Sequence, residues 1–142
     1  MELDKNEIAT GDTIEDRKQR KRFIASIYKI WEIENPEKKI FNRSLKDFVH
    51  IKHISVKETT GQASRRYIST LATLFLSEIL ANAIQKGVPQ NANPEKVNQK
   101  GFEKIILLEY DKIEFGKIKL TVGVKRGTKE KVQYCITAIE NG

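Results

Sequence analysis

A single cysteine, Cys135, stands among 142 residues. One thiol cannot close an intramolecular disulfide, and it excludes a four-ligand zinc site of the cysteine-rich kind. Histidine is scarce as well, with only His50 and His53. Two such ligands make a poor metal site without a third, so neither a metal nor another cofactor is expected. Apolar runs fall far short of the roughly 20 residues that span a bilayer, which points away from a membrane. The opening stretch, MELDKNEIATGDTIED, is acidic and polar, unlike a secretory signal or a transit peptide. A reducing cytoplasm is the simplest home.

What the chain has in excess is positive charge. Lys and Arg number 26 against 19 Asp and Glu, a net charge of +7. Residues 1–16 hold six acids (Glu2, Asp4, Glu7, Asp12, Glu15, Asp16) against Lys5 alone, which leaves 25 bases and 13 acids beyond them. A body that basic favours a polyanionic partner, RNA or DNA, over the ordinary alternative of a lysine-rich soluble surface. The length suits one domain over 1–142, with 1–12 a flexible acidic leader, 13–38 a basic helical part and 39–142 an α+β core.

Thr13 followed by Asp16 resembles a capping box and predicts a helix over about 14–34. Phe23, Ile24, Ile27, Ile30 and Trp31 recur at helical spacing, and Asn35-Pro36 closes the run because the residue before proline resists the helical conformation. Its first half carries Arg17, Lys18, Arg20, Lys21 and Arg22, expected as an exposed surface for nucleic acid. From Lys39 to Val56 the pattern predicts a short strand at Ile40-Phe41, a helical turn at SLKDF and a strand over VHIKHISV. On a strand His50 and His53 face opposite ways; on a helix they share a face.

Gly61 reads as a break, after which a second helix is expected from about Ala63 to Ile84. Ile68, Leu71, Phe75 and Ile79 form one face, widened nearly all round by Tyr67, Leu74, Leu76, Leu80, Ala83 and Ile84, so this helix belongs in the core. Arg65 and Arg66 fall in its first turn, where the helix dipole makes each cation cost about 0.3–1 kcal/mol. A phosphate held by both arginines and the first N–H groups would account for them. Outward pairing with Glu58 or another carboxylate is the ordinary alternative.

Residues 87–101 lack periodicity and read as a functional or disordered loop. From Phe102 the period is two, and FEKIILLEY, GKIKLTVGV and KVQYCITAI predict an antiparallel meander. Setting Ile118, Leu120, Val122 and Val124 against Ala138, Ile136, Tyr134 and Val132 as an inner row leaves a three-residue loop, Gly127-Thr128-Lys129. The outer face then pairs Lys119 with Thr137, Thr121 with Cys135, Gly123 with Gln133 and Lys125 with Lys131. Opposed lysines repel slightly, and a bound phosphate would relieve that repulsion.

The run from Ile54 to Ile84, ISVKETTGQASRRYISTLATLFLSEILANAI, resembles a pattern of phage and conjugative-element proteins. In it a short strand ending in Lys-Glu leads into a basic loop, then a helix with an LL..L.ELL..A-like core, then a strand pair as at 118–122 and 133–137. Residues from about 40 to 140 are thereby similar to large polyvalent protein-associated domains and to nuclease-like domains of the barnase/EndoU/colicin/RelE-like class. The resemblance rests on the order of elements and on loosely matched positions. It implies an α+β fold, helices followed by a C-terminal antiparallel sheet, and metal-independent RNA cleavage in many members.

Such cleavage requires a base, an acid and cations around the phosphate. By the resemblance Lys57 and Glu58 match the strand-end pair, Arg65 and Arg66 the basic positions entering the helix, and Thr121 a hydroxyl on the sheet. His50 joins Lys57 and Glu58 as a catalytic candidate; Arg65, Arg66, Lys119, Thr121 and Lys125 are the phosphate-binding candidates. The chain departs from the pattern in having Gln62, Ala63 and Ser64 where many members place a histidine. Three functions are compatible with these residues: a ribonuclease-like toxin, a non-catalytic nucleic-acid-binding relative, and a protein-binding inhibitor of a host defence system.

Overall fold

The computed structural model describes residues 3–139; Met1, Glu2 and 140–142, the outer ends of the expected leader and core, lie outside the described residues. Helix α1 (Ile14–Glu34) begins at the capping box, with Asp16 N–H donating to Thr13 Oγ1 at 3.0 Å and Thr13 N–H to the Asp16 carboxylate at 3.3 Å. Its buried stripe is Phe23, Ile24, Ile27, Tyr28 and Trp31. The described part of the acidic leader folds back on this helix instead of trailing from it. Ile8 is buried, and the Gln19 amide spans the Ala9 N–H and the Glu7 carbonyl.

Strands β1 (Lys39–Asn42) and β2 (Asp47–His50) form a hairpin in which Phe41 opposes Phe48 and Ile40 opposes Val49. Of the expected helical turn at SLKDF only Ser44, Leu45 and Lys46 lie in its connection, a turn over 43–46; Asp47 and Phe48 already belong to β2. The expected strand over VHIKHISV stops at His50, and α2 (His53–Ala63) starts three residues on. The switch is local chemistry: Ser55 Oγ accepts the Lys52 N–H at 3.0 Å and closes the first turn. Gly61 lies inside α2 and breaks nothing.

The single core helix expected from Ala63 is instead α3 (Tyr67–Ala72), a 3-10 turn at Thr73–Phe75 and α4 (Leu76–Asn82). Hydroxyls compete for its carbonyls. Thr70 Oγ1 donates to the Ala63 carbonyl at 3.0 Å and lies 2.9 Å from that of Arg66, while Thr73 Oγ1 donates to the Thr70 carbonyl at 2.6 Å. The apolar content still serves the core: Leu71, Leu76, Ile79 and Leu80 are all buried.

Strands β3 (Ile84–Gln85), β4 (Gln90–Asn91), β5 (Phe102–Lys112), β6 (Gly116–Lys125) and β7 (Lys131–Ala138) complete one sheet in the order β1-β2-β7-β6-β5-β3, with β4 also on β5. The meander is antiparallel as expected, but the sheet as a whole is mixed, because β2 joins β7 in parallel at Val49–Lys131 and His50–Val132. The fold class is α+β with N-terminal helices. The loop over 87–101 contributes β4 and a 3-10 turn at Val97–Gln99.

Between β6 and β7 the expected register holds for Ile118–Ala138, Lys119–Thr137, Leu120–Ile136 and Thr121–Cys135, then shifts by one to Val122–Gln133 and Val124–Lys131. Tyr134 is the extra residue of a β-bulge, so the parity of β7 reverses beyond it. Tyr134 therefore leaves the inner row and packs near Phe102 on the other side, at a ring separation of 6.1 Å. Gln133 takes the inner place. Its amide is satisfied there, since Tyr28 Oη donates to Gln133 Oε1 at 2.5 Å and Gln133 Nε2 donates to Thr59 Oγ1 at 3.0 Å. Lys125 and Lys131 are not opposed; Lys131 binds Asp47 at 2.8 Å instead.

β2 covers β7 only at residues 131–132, and α2 and α3 run along the rest of that edge. Their side chains occupy its hydrogen-bonding groups in turn. Ser55 Oγ donates to the Gln133 carbonyl at 2.5 Å, Ile136 N–H donates to Thr59 Oγ1 at 3.3 Å, and Ala138 N–H donates to Ser69 Oγ at 2.9 Å. Arg66 donates to the Ala138 carbonyl at 2.5 Å. An edge strand that would template association is thus closed by hydroxyls. Thr59→Val removes the acceptor for Gln133 and Ile136 and is expected to lower stability by about 1–3 kcal/mol. In urea unfolding Thr60→Val, at a half-buried site whose hydroxyl donates to the Lys57 carbonyl of its own helix, should move the midpoint much less.

Candidate nucleic-acid interface

The link between α2 and α3 is built from beneath by Arg20, which the sequence placed among the surface cations. The structure corrects this: Arg20 is fully buried. Its Nε donates to the Ser64 carbonyl at 2.7 Å, and one terminal nitrogen to the carbonyls of Ala9 and Gly11 at 2.8 and 2.6 Å. A further bond reaches the Arg65 carbonyl at 3.5 Å. A helix C-terminus presents unpaired carbonyls and partial negative charge, so a cation buried against the end of α2 is stabilising. Arg17, Lys18, Lys21 and Arg22 remain exposed on α1, with Lys18 3.9 Å from Glu15.

With its carbonyl tied to Arg20, Arg65 turns its side chain outward. Arg66 is the extended residue preceding α3 (φ −140°, ψ 148°), and its guanidinium reaches the end of β7. Neither arginine sits inside a helical first turn, so the anticipated clash with a helix dipole does not arise. Together with Gln62, with Lys119, Thr137 and Ala138 from the sheet, and with Ile139 just beyond β7, they line an open recess of about 550 Å³. Arg65 and Lys119 form no ion pair among the described residues. Across the sheet, Glu109 opposes Lys119 in register but binds Lys117 at 3.3 Å.

Glu58 is nearly buried beside this recess, at 9% exposure, and accepts a hydrogen bond from Asn98 at 2.9 Å. Burial pushes the Tyr134 phenol up to about 12, with the Glu58 carboxylate adding to it. The Cys135 thiol is likewise pushed up to about 12, by burial first and then by Glu58, against the opposing charges of Lys119 and Arg65. Both groups are held neutral, so Cys135 is no thiolate nucleophile at neutral pH. Thr121 stands opposite Cys135 at a half-buried position.

The remaining candidates lie apart. His50 Nδ1 is 3.5 Å from Glu130, which also binds Lys52 at 3.2 Å. Burial opposes ionisation of Glu130, yet the neighbouring cations outweigh it and hold its carboxyl below the usual range. Lys125 is one of those cations. Lys57 is exposed on α2. The proposed catalytic set Lys57, Glu58 and His50 is therefore not gathered on one cluster, whereas Arg65, Arg66 and Lys119 are. Gln62 and Thr137 joined the recess without a motif to announce them. Asn98 and Tyr134 joined Glu58 through the bulge and the 3-10 turn, which a strand alternation cannot show. Among the described residues no group of three His, Cys, Asp or Glu side chains is placed to hold a metal ion.

Neutral burial of Cys135 has a pH consequence. Its folded value lies above the ordinary 9.0, so the unfolded chain loses this proton first as pH rises. The stability gained by keeping it protonated is whole below about 9 and is lost as pH climbs toward about 12. Urea midpoints measured up this range should fall, and Cys135→Ala should flatten the fall. Compared with protein-family models, with curated proteins and with solved structures, the chain gives no significant match to any of the three.

Proposed function

We propose that the protein binds nucleic acid through its phosphates, with the recess between the α2–α3 link and strands β6 and β7 as the principal contact. The observation that carries this reading is the convergence of Arg65 and Lys119, without ion pairs among the described residues, beside Arg66 in one open recess. Guanidinium and ammonium groups so placed match phosphate oxygens, and Gln62 and Thr137 add neutral hydrogen-bonding groups. The exposed cations of α1 extend the basic surface from the same junction, since Arg20 ties that helix to Ser64 and Arg65. The resemblance to nuclease-like domains of mobile elements agrees in partner, and the reading is of a binding relative working in the cytoplasm of a phage or conjugative-element host.

Binding is favoured over cleavage by the separation of the acid–base candidates. His50 is turned to Glu130, and Glu58 is engaged by Asn98. Purified protein is expected to shift labelled single-stranded RNA in EDTA and leave it intact. Cleavage abolished by Glu58→Gln would replace this reading with the enzyme. Each phosphate contact adds about 0.7–0.9 to the slope of log affinity against log salt. Arg65→Ala/Lys119→Ala is therefore expected to weaken binding and flatten that slope by roughly 1.5. An unchanged slope would remove the recess from the interface.

A further inference from the structure

The hairpin β1–β2 carries its own unexplained feature. Phe41 and Phe48 oppose one another in register and remain 48% and 40% exposed. Their rings meet edge to face at 5.5 Å, and Lys39 Nζ lies 4.5 Å from the centre of the Phe48 ring. This pair does not anchor the hairpin. The opposite face does so, through fully buried Val49 and Asn42, whose side-chain amide donates to the Leu80 and Ala83 carbonyls at 2.8 and 3.0 Å. Arg43 N–H adds a bond to the Ala81 carbonyl at 3.1 Å. The rings therefore sit on a fixed support with their outer surfaces in solvent.

The surrounding charge selects a partner for them. Between Lys38 and Lys52 the chain has five cations (Lys38, Lys39, Arg43, Lys46, Lys52) and one acid, Asp47, which is occupied by Lys131. Lys38 and Lys52 are matched by Glu32 and Glu130 at 3.8 and 3.2 Å, which leaves Lys39, Arg43 and Lys46 without an ion pair among the described residues. A second copy of so basic a hairpin would be repelled, and an apolar peptide would leave the cations unused. Exposed rings beside lysines are the combination that holds single-stranded nucleic acid, with bases stacked on the rings and phosphates on the cations. A duplex keeps its base faces stacked internally and offers none to a side chain.

We infer that Phe41 and Phe48, with Lys39 beside them, form a base-stacking platform, so that the nucleic acid bound is single-stranded. This rests on the nucleic-acid reading above and narrows it from any polyanion to unpaired bases. Stacking is indifferent to base identity, so the platform gives a preference for strandedness with little preference for sequence.

Fluorescence anisotropy at one fixed salt concentration separates the possibilities with three probes of equal length: a single-stranded oligonucleotide, its abasic counterpart and a duplex. The full chain is expected to bind the base-bearing strand at least about tenfold more tightly than the abasic one. Phe41→Ala/Phe48→Ala should erase that difference, Phe41→Trp/Phe48→Trp should preserve it, and Arg65→Ala/Lys119→Ala should weaken all three probes alike. Equal binding of base-bearing and abasic strands, or a preference indifferent to both ring variants, overturns the platform while leaving the phosphate recess standing. Failure of all three probes to bind overturns the platform and the nucleic-acid reading together. Where the alanine variant fails to fold, equal binding of the two strands by the unaltered chain still overturns the platform, and the single variants Phe41→Ala and Phe48→Ala, each expected to narrow the difference, carry the positive arm.

Discussion

The open edge of β7 is the constraint on which the rest of the structure depends. β2 pairs with only its first two residues, and backbone groups from Gln133 to Ala138 would otherwise face solvent or another chain. Helices cannot supply backbone partners to a strand, so the edge is met by side chains. Ser55, Thr59, Ser69 and Arg66 each take one group. The small hydroxyls let α2 come close; a larger apolar side chain at any of these sites would hold it off and leave a polar group unmet. This explains why a helix packed against a sheet reads so polar on its packed face.

The same requirement arranges the bulge. Thr59 serves the Ile136 N–H and the Gln133 amide at once, with Tyr28 Oη 3.2 Å away. Moving Gln133 inward sends Tyr134 outward, toward Glu58, Asn98 and Phe102. A buried glutamine in a core row is tolerable only with both ends of its amide satisfied, and here the network is complete. The closeness of Glu58 to Tyr134 and Cys135 is thus a by-product of how α2 is held down.

Arg20 performs a related task one layer away. It sits at the end of α2 with donors directed at four carbonyls from two segments, which fixes the acidic amino-terminal stretch and the α2–α3 link against α1. Because that buried cation answers the helix terminus, Arg65 is released toward solvent. Two adjacent arginines thereby divide: Arg66 closes the strand edge, and Arg65 faces the recess with Lys119.

Much of this was legible in the sequence where the signal is local. The capping box of α1, the apolar stripe from Phe23 to Trp31, the meander and half of the β6–β7 register follow from spacing alone, because each rests on contacts a few residues apart or on simple alternation. Arg65 and Arg66 stood out by their place at an expected helix start, and Lys119 by its place on the outer face of the meander. Only the tertiary structure decided that Arg20 is buried, that β2 lies parallel to β7, that the helix after Ala63 is broken, and that Tyr134 is a bulge residue. The helix break is made by the local hydroxyls of Thr70 and Thr73, and the others are settled by hydrogen bonds between groups far apart in the chain, such as Arg20 to Ser64 or Thr59 to Gln133. The sequence alone determines which side chains want partners; the fold decides which partner each one reaches, because that depends on distances that alternation and periodicity do not contain.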